Sequence, residues 1–175
     1  MLRLFARAAA GFALLAALGA CYITGSSVIP PERGEAIPGL EGNWLVADDS
    51  STDVLTIAAR PGTNDYDLTS NAPDAQNEKL TARGFQIAGD VYVIQMWNEA
   101  ALDEGVVLVF ATLEGDSFSL LAVASDQRAL ASQAGVTLAE DNVTLDGDAG
   151  QMLAFLDLHQ SAEFTAPTPM LKRAP

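Results

Sequence analysis

From residue 42 onward, short apolar runs that alternate with a period of two are broken by Gly, Asp and Asn. Residues 42–47 hold Trp44, Leu45 and Val46, residues 54–59 read Val-Leu-Thr-Ile-Ala-Ala, and residues 65–69 read Asp-Tyr-Asp-Leu-Thr. Each run has strand length, and the alternation is that of a pleated ribbon with one buried face. Residues 80–87 pass through Gly89-Asp90 into residues 91–97, Val-Tyr-Val-Ile-Gln-Met-Trp, which predicts a tight hairpin. Residues 106–113 pass through Glu114-Gly115-Asp116 into residues 118–124 and predict a second one. Connections this short force antiparallel pairing, since a parallel crossover needs about a dozen residues or more.

The pattern changes after residue 125. Asp126 is placed to cap a short helix over residues 127–134 that Gly135 closes. Asp148 followed three residues later by Gln151 approximates a capping box, and Met152, Phe155, Leu156 and His159 then fall on one helical face. Between the helices, residues 136–138 and 143–145 suggest short strands around the acidic turn Glu140-Asp141-Asn142. The expected fold is mainly β: an antiparallel meander of about seven or eight strands closing into a small barrel or strongly curled sheet, with one or two C-terminal helices packed on it. Residues 39–166 are expected to form a single β-rich domain. Residues 167–175, with Pro167, Pro169 and Lys172-Arg173, are expected to leave it as a disordered tail or extended strap.

The first residues follow another rule. Arg3 and Arg7 precede a stretch from residue 8 to residue 20 with no charged side chain, built almost wholly of Ala, Leu, Phe and Gly. A charged start followed by an apolar run too short for the roughly 20 residues of a membrane span is the pattern of a removable export signal. Leu18-Gly19-Ala20-Cys21 at its end resembles the lipobox of bacterial lipoproteins. The resemblance implies cleavage between Ala20 and Cys21, and a diacylglyceryl group on the Cys21 thiol. It also implies a membrane anchor made of fatty chains, each buried methylene adding about 0.8 kcal/mol of affinity. The alternative is ordinary secretory cleavage, which usually prefers a small residue where Leu18 stands. Tyr22 in place of Asp after the cysteine implies, by the rule of that family, the outer rather than the inner membrane, with the domain facing the periplasm. Residues 21–38 hold three prolines and no apolar period, and read as a flexible tether.

A single Cys in an exported chain has no internal disulfide partner, and lipidation gives it a role. Without residues 1–20, seven basic residues face 23 acidic ones, a formal charge of −16. Such a surface argues against nucleic acid and against an electrostatic grip on anionic lipid, leaving the lipid to hold the membrane and a protein of the envelope as the possible partner.

The residues give little catalytic chemistry. His159 is the one histidine, so any Ser-His-Asp arrangement runs through it, and no Gly-x-Ser-x-Gly occurs. At the end of a predicted helix its positive form would complement the helix dipole. Glu140, Asp141, Asn142, Asp146 and Asp148 offer oxygen ligands, but their spacing is not that of a calcium loop, and turn and cap duties explain them. No cofactor or metal is called for. The start of the first barrel strand, Gly42-Asn43-Trp44, is similar to the Gly-x-Trp that opens lipocalins. That resemblance implies a ligand cavity; Trp44, Tyr92 and Trp97 on the alternating strands are core by default, and become candidate ligand contacts only where such a cavity is lined. The leading expectation is a non-enzymatic binding or assembly module on a lipid anchor. A carrier of a small apolar ligand and a hydrolase are the second and third. The oligomeric state is not legible.

Overall fold

The computed structural model describes residues 21–46, 52–72, 79–101 and 105–175. The expected leader, residues 1–20, with Leu18, Gly19 and Ala20 of the lipobox, lies outside them. The described strands are β1 (Cys21–Thr24), β2 (Gly42–Val46), β3 (Val54–Ala59), β4 (Asp65–Ser70), β5 (Lys79–Ala88) and β6 (Val91–Trp97). They continue with β7 (Val106–Glu114), β8 (Ser117–Leu121), β9 (Thr137–Leu138), β10 (Thr144–Asp146) and β11 (Thr168–Arg173). Two helices, α1 (Gln127–Ala134) and α2 (Ala149–Leu158), separate the last of them.

The protein is mainly β, an eight-stranded closed antiparallel barrel with both helices packed on it. Strands β2 to β8 follow one another around the wall, and β11 closes it by pairing with both β8 and β2. Closure leaves the wall without a free edge. Both expected hairpins, β5–β6 and β7–β8, are present. One edge of β7 is shared: β8 pairs with its second half from Phe110, and β1 with its first half, Cys21 opposite Val109 and Thr24 opposite Val106. Beyond β1 lie β10, parallel to it, and β9.

Alternation along β7 divides the core into two layers. Val107, Val109 and Ala111 point inward to a cluster with Trp44, Ile57 and Ile94. Leu108 and Phe110 point outward to a second cluster, shared with Tyr22, Phe155 and Leu156 under the helices. Being covered on both faces, β7 is apolar almost without interruption. Each large side chain removed from water in this way contributes about 1.5–3 kcal/mol. The helices have the expected ends. The Asp126 carboxylate accepts from the N–H groups of Arg128 and Ala129, Gly135 closes α1 in a left-handed conformation, and Asp148 with Gln151 makes a complete capping box.

Two expectations are corrected. Residues 21–38 are no tether: Tyr22 and Ile29 are fully buried and Val28 and Ile37 nearly so, while Pro31–Arg33 form a 3-10 turn on the barrel. Apolar residues in irregular spacing leave no periodic trace, yet each fills a slot in one of the two cores. Residues 167–175 are no free tail either, because β11 is a wall strand. A register shift between Pro169 and Leu171 accommodates a proline that has no N–H for the ladder. Arg173 clamps the end of β11: its guanidinium lies 4.4 Å from the Trp44 ring centroid and donates to the carbonyls of Gly39 and Glu41. The folded body therefore runs beyond residues 39–166 at both ends.

Candidate functional site

Cys21 begins β1, and its pairing with inward-facing Val109 turns its side chain toward the barrel interior. It is 4% exposed, and burial pushes the thiol up to about 12, so as a free cysteine it is protonated and unreactive. Its neighbour Tyr22 points the opposite way, into the layer beneath the helices.

There Tyr22 meets His159. The helix face that was read from sequence does bury Met152, Phe155 and Leu156, and it buries His159 with them rather than leaving the ring at an open helix end. It is completely enclosed. Its ring stacks on Phe110 at 4.7 Å between centroids and takes Phe155 and Tyr22 edge-on at 4.6 and 6.3 Å. The carbonyl of Phe155 can only accept, so the 2.7 Å contact to Nδ1 fixes the proton on that nitrogen. Burial lowers the pKa of the ring below its ordinary value, against the opposing pull of that carbonyl. Among the described residues the Nε2 lone pair and the Tyr22 hydroxyl have no hydrogen-bond partner. Nδ1 is thus occupied by a carbonyl, and no described serine hydroxyl is hydrogen-bonded to Nε2.

A polar group missed at the sequence level binds residues 27–34 to the wall. Arg83 on β5 donates from Nε and Nη2 to the Asp65 carboxylate at 2.6 and 2.8 Å, and from Nη1 to the Ile29 carbonyl at 2.7 Å. On β6, the Gln95 Oε1 accepts from the N–H groups of Val28 and Ile29 at 2.6 and 2.8 Å, and its Nε2 donates to the Ser27 hydroxyl. A segment with no strand partner must satisfy its buried backbone groups in some such way. The visible signal was Gln95 inside the otherwise apolar run 91–97, and the charged Arg83 in the middle of the strand run 80–87. A shallow depression of about 300 Å³ nearby is lined by Pro31, Gly62, Thr63, Asn64 and Asp65. Its polar groups are engaged: Asp65 with Arg83, and the Asn64 Nδ2 donating to the Gly34 carbonyl at 2.7 Å.

The three candidate cavity residues are not brought together. Trp44 is fully buried inside the barrel, its Nε1 donating to the Leu40 carbonyl at 2.8 Å. Tyr92 packs partly buried against the same inner cluster. Trp97 is five residues from Tyr92 along β6 and so faces outward, where Arg83 lies 5.3 Å from its ring centroid. The interior near Trp44 is occupied by Ile37 and Leu40, from the chain before β2. Room for Ile37 comes from Gly84, where a Cβ would run into the Ile37 side chain.

The acidic residues after α1 serve the backbone. The Asp141 carboxylate accepts from the N–H groups of Val143 and Thr144 and from the Thr144 hydroxyl, and these bonds, the Thr144 N–H first, lower its pKa. Asp148 caps α2. Among the described residues no group of three or more His, Cys, Asp or Glu side chains is placed to hold a metal ion.

Fold and site define a small closed β-barrel with a helical cover and an N-terminal segment strapped to its wall. No family model matches the chain. No curated protein and no solved structure is significantly similar to it.

Proposed function

We propose that this chain is a lipid-anchored protein of the bacterial cell envelope whose barrel domain is a non-enzymatic binding or assembly module facing the periplasm from the outer membrane. The observation that carries the reading is the run of Arg3, Arg7, a charge-free apolar stretch and Leu18-Gly19-Ala20-Cys21. One further observation supports it. Occupation of the barrel interior by Trp44, Ile37 and Leu40 favours a module that works through its outer surface over a carrier of an apolar ligand.

The reading makes a structural demand. A diacylglyceryl thioether is far larger than the slot that holds the Cys21 thiol, so in the lipid-bearing form this residue turns out of the wall where β1 gives way to β8 along β7. With residues 22–40 packed on the barrel, the anchor then has almost no slack, and the domain sits against the bilayer rather than at the end of a leash. A chain with 23 acidic residues against nine basic ones keeps that contact one of lipid chains rather than of charge.

The test is processing in cells. Globomycin, or Cys21→Ala, should leave the leader uncleaved, and detergent-phase partition of the normal product should disappear. Unchanged processing together with a soluble product in both cases would overturn the anchor. Organic extraction of the purified barrel followed by mass spectrometry tests carriage separately; a stoichiometric apolar compound would replace the module by the carrier.

A further inference from the structure

We propose that His159 is an acid-sensitive latch: when its ring takes up a second proton, the end of α2 leaves its aromatic box and β1, the strand that begins with Cys21, loses its cover. The proposal stands on the enclosure of the ring. It is 0% exposed, flanked by Phe110 from β7, Phe155 from α2 and Tyr22 from β1, with its Nδ1–H spent on the Phe155 carbonyl. Among the described residues a proton added at Nε2 would find no hydrogen-bond acceptor, a costly position for a cation in a protein.

Beyond the Phe155 carbonyl at the C-terminal end of α2, which favours the charge, no anionic side chain among the described residues is paired with the ring. The titratable group facing the ring from β1 is Tyr22, which burial keeps in its neutral form. On the β5 side, where the 3-10 turn His159–Ser161 also packs, Phe85 carries Arg33 at 4.4 Å from its ring centroid, a like charge. Arg128 on α1 is directed to the carbonyls of Leu138 and Ala139. Asp157, two residues before His159, is paired with Arg33 at 3.1 Å on the surface, and Glu163 beyond the turn is exposed. Phe164, on the far side of Phe110, completes the apolar wall.

The sign follows from linkage. The closed form binds the proton more weakly than the open form, in which the imidazole recovers its ordinary pKa near 6.5. The latch is fully closed above that value. It weakens as the pH falls below it, and the loss stops once the pH has passed the lowered pKa of the closed form. One proton taken up on opening makes the opening constant rise by up to about tenfold per pH unit in that window. Because β1 is held between β7, β10 and this box, opening bares Tyr22 and loosens the strand that carries the proposed attachment point. The latch operates with or without lipid on Cys21, so its failure and that of the anchor are separable.

The full chain supplies its own probe, since its single histidine gives one imidazole resonance. Between pH 7 and pH 5, hydrogen-exchange protection of residues 149–161 and 21–24 should fall by up to about tenfold per unit while that of β3 to β5 holds. His159→Phe should abolish the dependence. An imidazole midpoint at or above 6.5, protection of α2 that does not change with pH, or an equal loss across the barrel overturns the latch. Should His159→Phe fail to fold, the wild-type imidazole titration and exchange profile decide alone.

Discussion

Replacing Arg83 by Met tests whether residues 27–34 are truly part of the folded body. The change removes three things at once: both bonds to the Asp65 carboxylate, the bond to the Ile29 carbonyl and the cation above Trp97. The Arg83 and Asp65 side chains are only 8% and 10% exposed, so Asp65 would be left as a buried and uncompensated charge. Breaking such a pair from one side costs about 3–5 kcal/mol, and the stranded Ile29 carbonyl about 1–3 kcal/mol more, part of which overlaps. We expect a net loss of about 4–5 kcal/mol, a large fraction of the ~5–15 kcal/mol that holds a typical domain together. Urea unfolding followed by Trp fluorescence measures it. The companion variant Asp65→Leu with Arg83→Met should recover most of the loss, because two apolar groups leave no charge behind. A cost below about 1 kcal/mol for Arg83→Met, or a double variant as unstable as the single one, would refute the reasoning and return residues 27–34 to the role of a loosely held strap.

Four further outcomes follow from the same coordinates. Gln95→Leu strands the N–H groups of Val28 and Ile29, should cost about 2 kcal/mol, and should open residues 25–34 to limited proteolysis before the barrel is cut. Gly84→Val should destabilise through collision with Ile37, and adding Ile37→Ala should recover part of the loss, as read from thermal midpoints. Deleting residues 168–175 removes the strand that joins β8 to β2 and should abolish the cooperative unfolding transition seen by circular dichroism. In the unlipidated full chain, the Cys21 thiol should stay unmodified by iodoacetamide at pH 8 until denaturant is added, because burial holds it protonated up to about 12.

Much of the wall was written locally. A strand with one face covered alternates, a turn needs Gly or Asp, and a helix start needs a side-chain acceptor; these demands act within a few residues, so β2 to β8 and both helix caps were legible. The capping box of α2 placed His159 on the buried face, but the depth at which it lies was not visible, because the enclosing rings of Tyr22 and Phe110 come from residues 137 and 49 positions away.

The two ends show the opposite case. Residues 21–40 and 168–173 have prolines, few repeats of any period and a composition that suits free chain, yet one lines two cores and the other closes the barrel. Their structure comes from partners distant in sequence: Gln95, Arg83 and Asp65 for the first, and the exposed ladders of β2 and β8 for the second. The amino-acid sequence by itself determined the antiparallel class, the helix ends, the acidic composition and the charge-free apolar run that stops at Cys21. Only the tertiary structure decided that the barrel closes, that its own N-terminal segment helps to fill the interior, and that the one histidine is fully enclosed. An unpaired edge, an empty interior and a buried ring are each resolved by whatever group the folded chain brings nearest, and no local pattern encodes that choice.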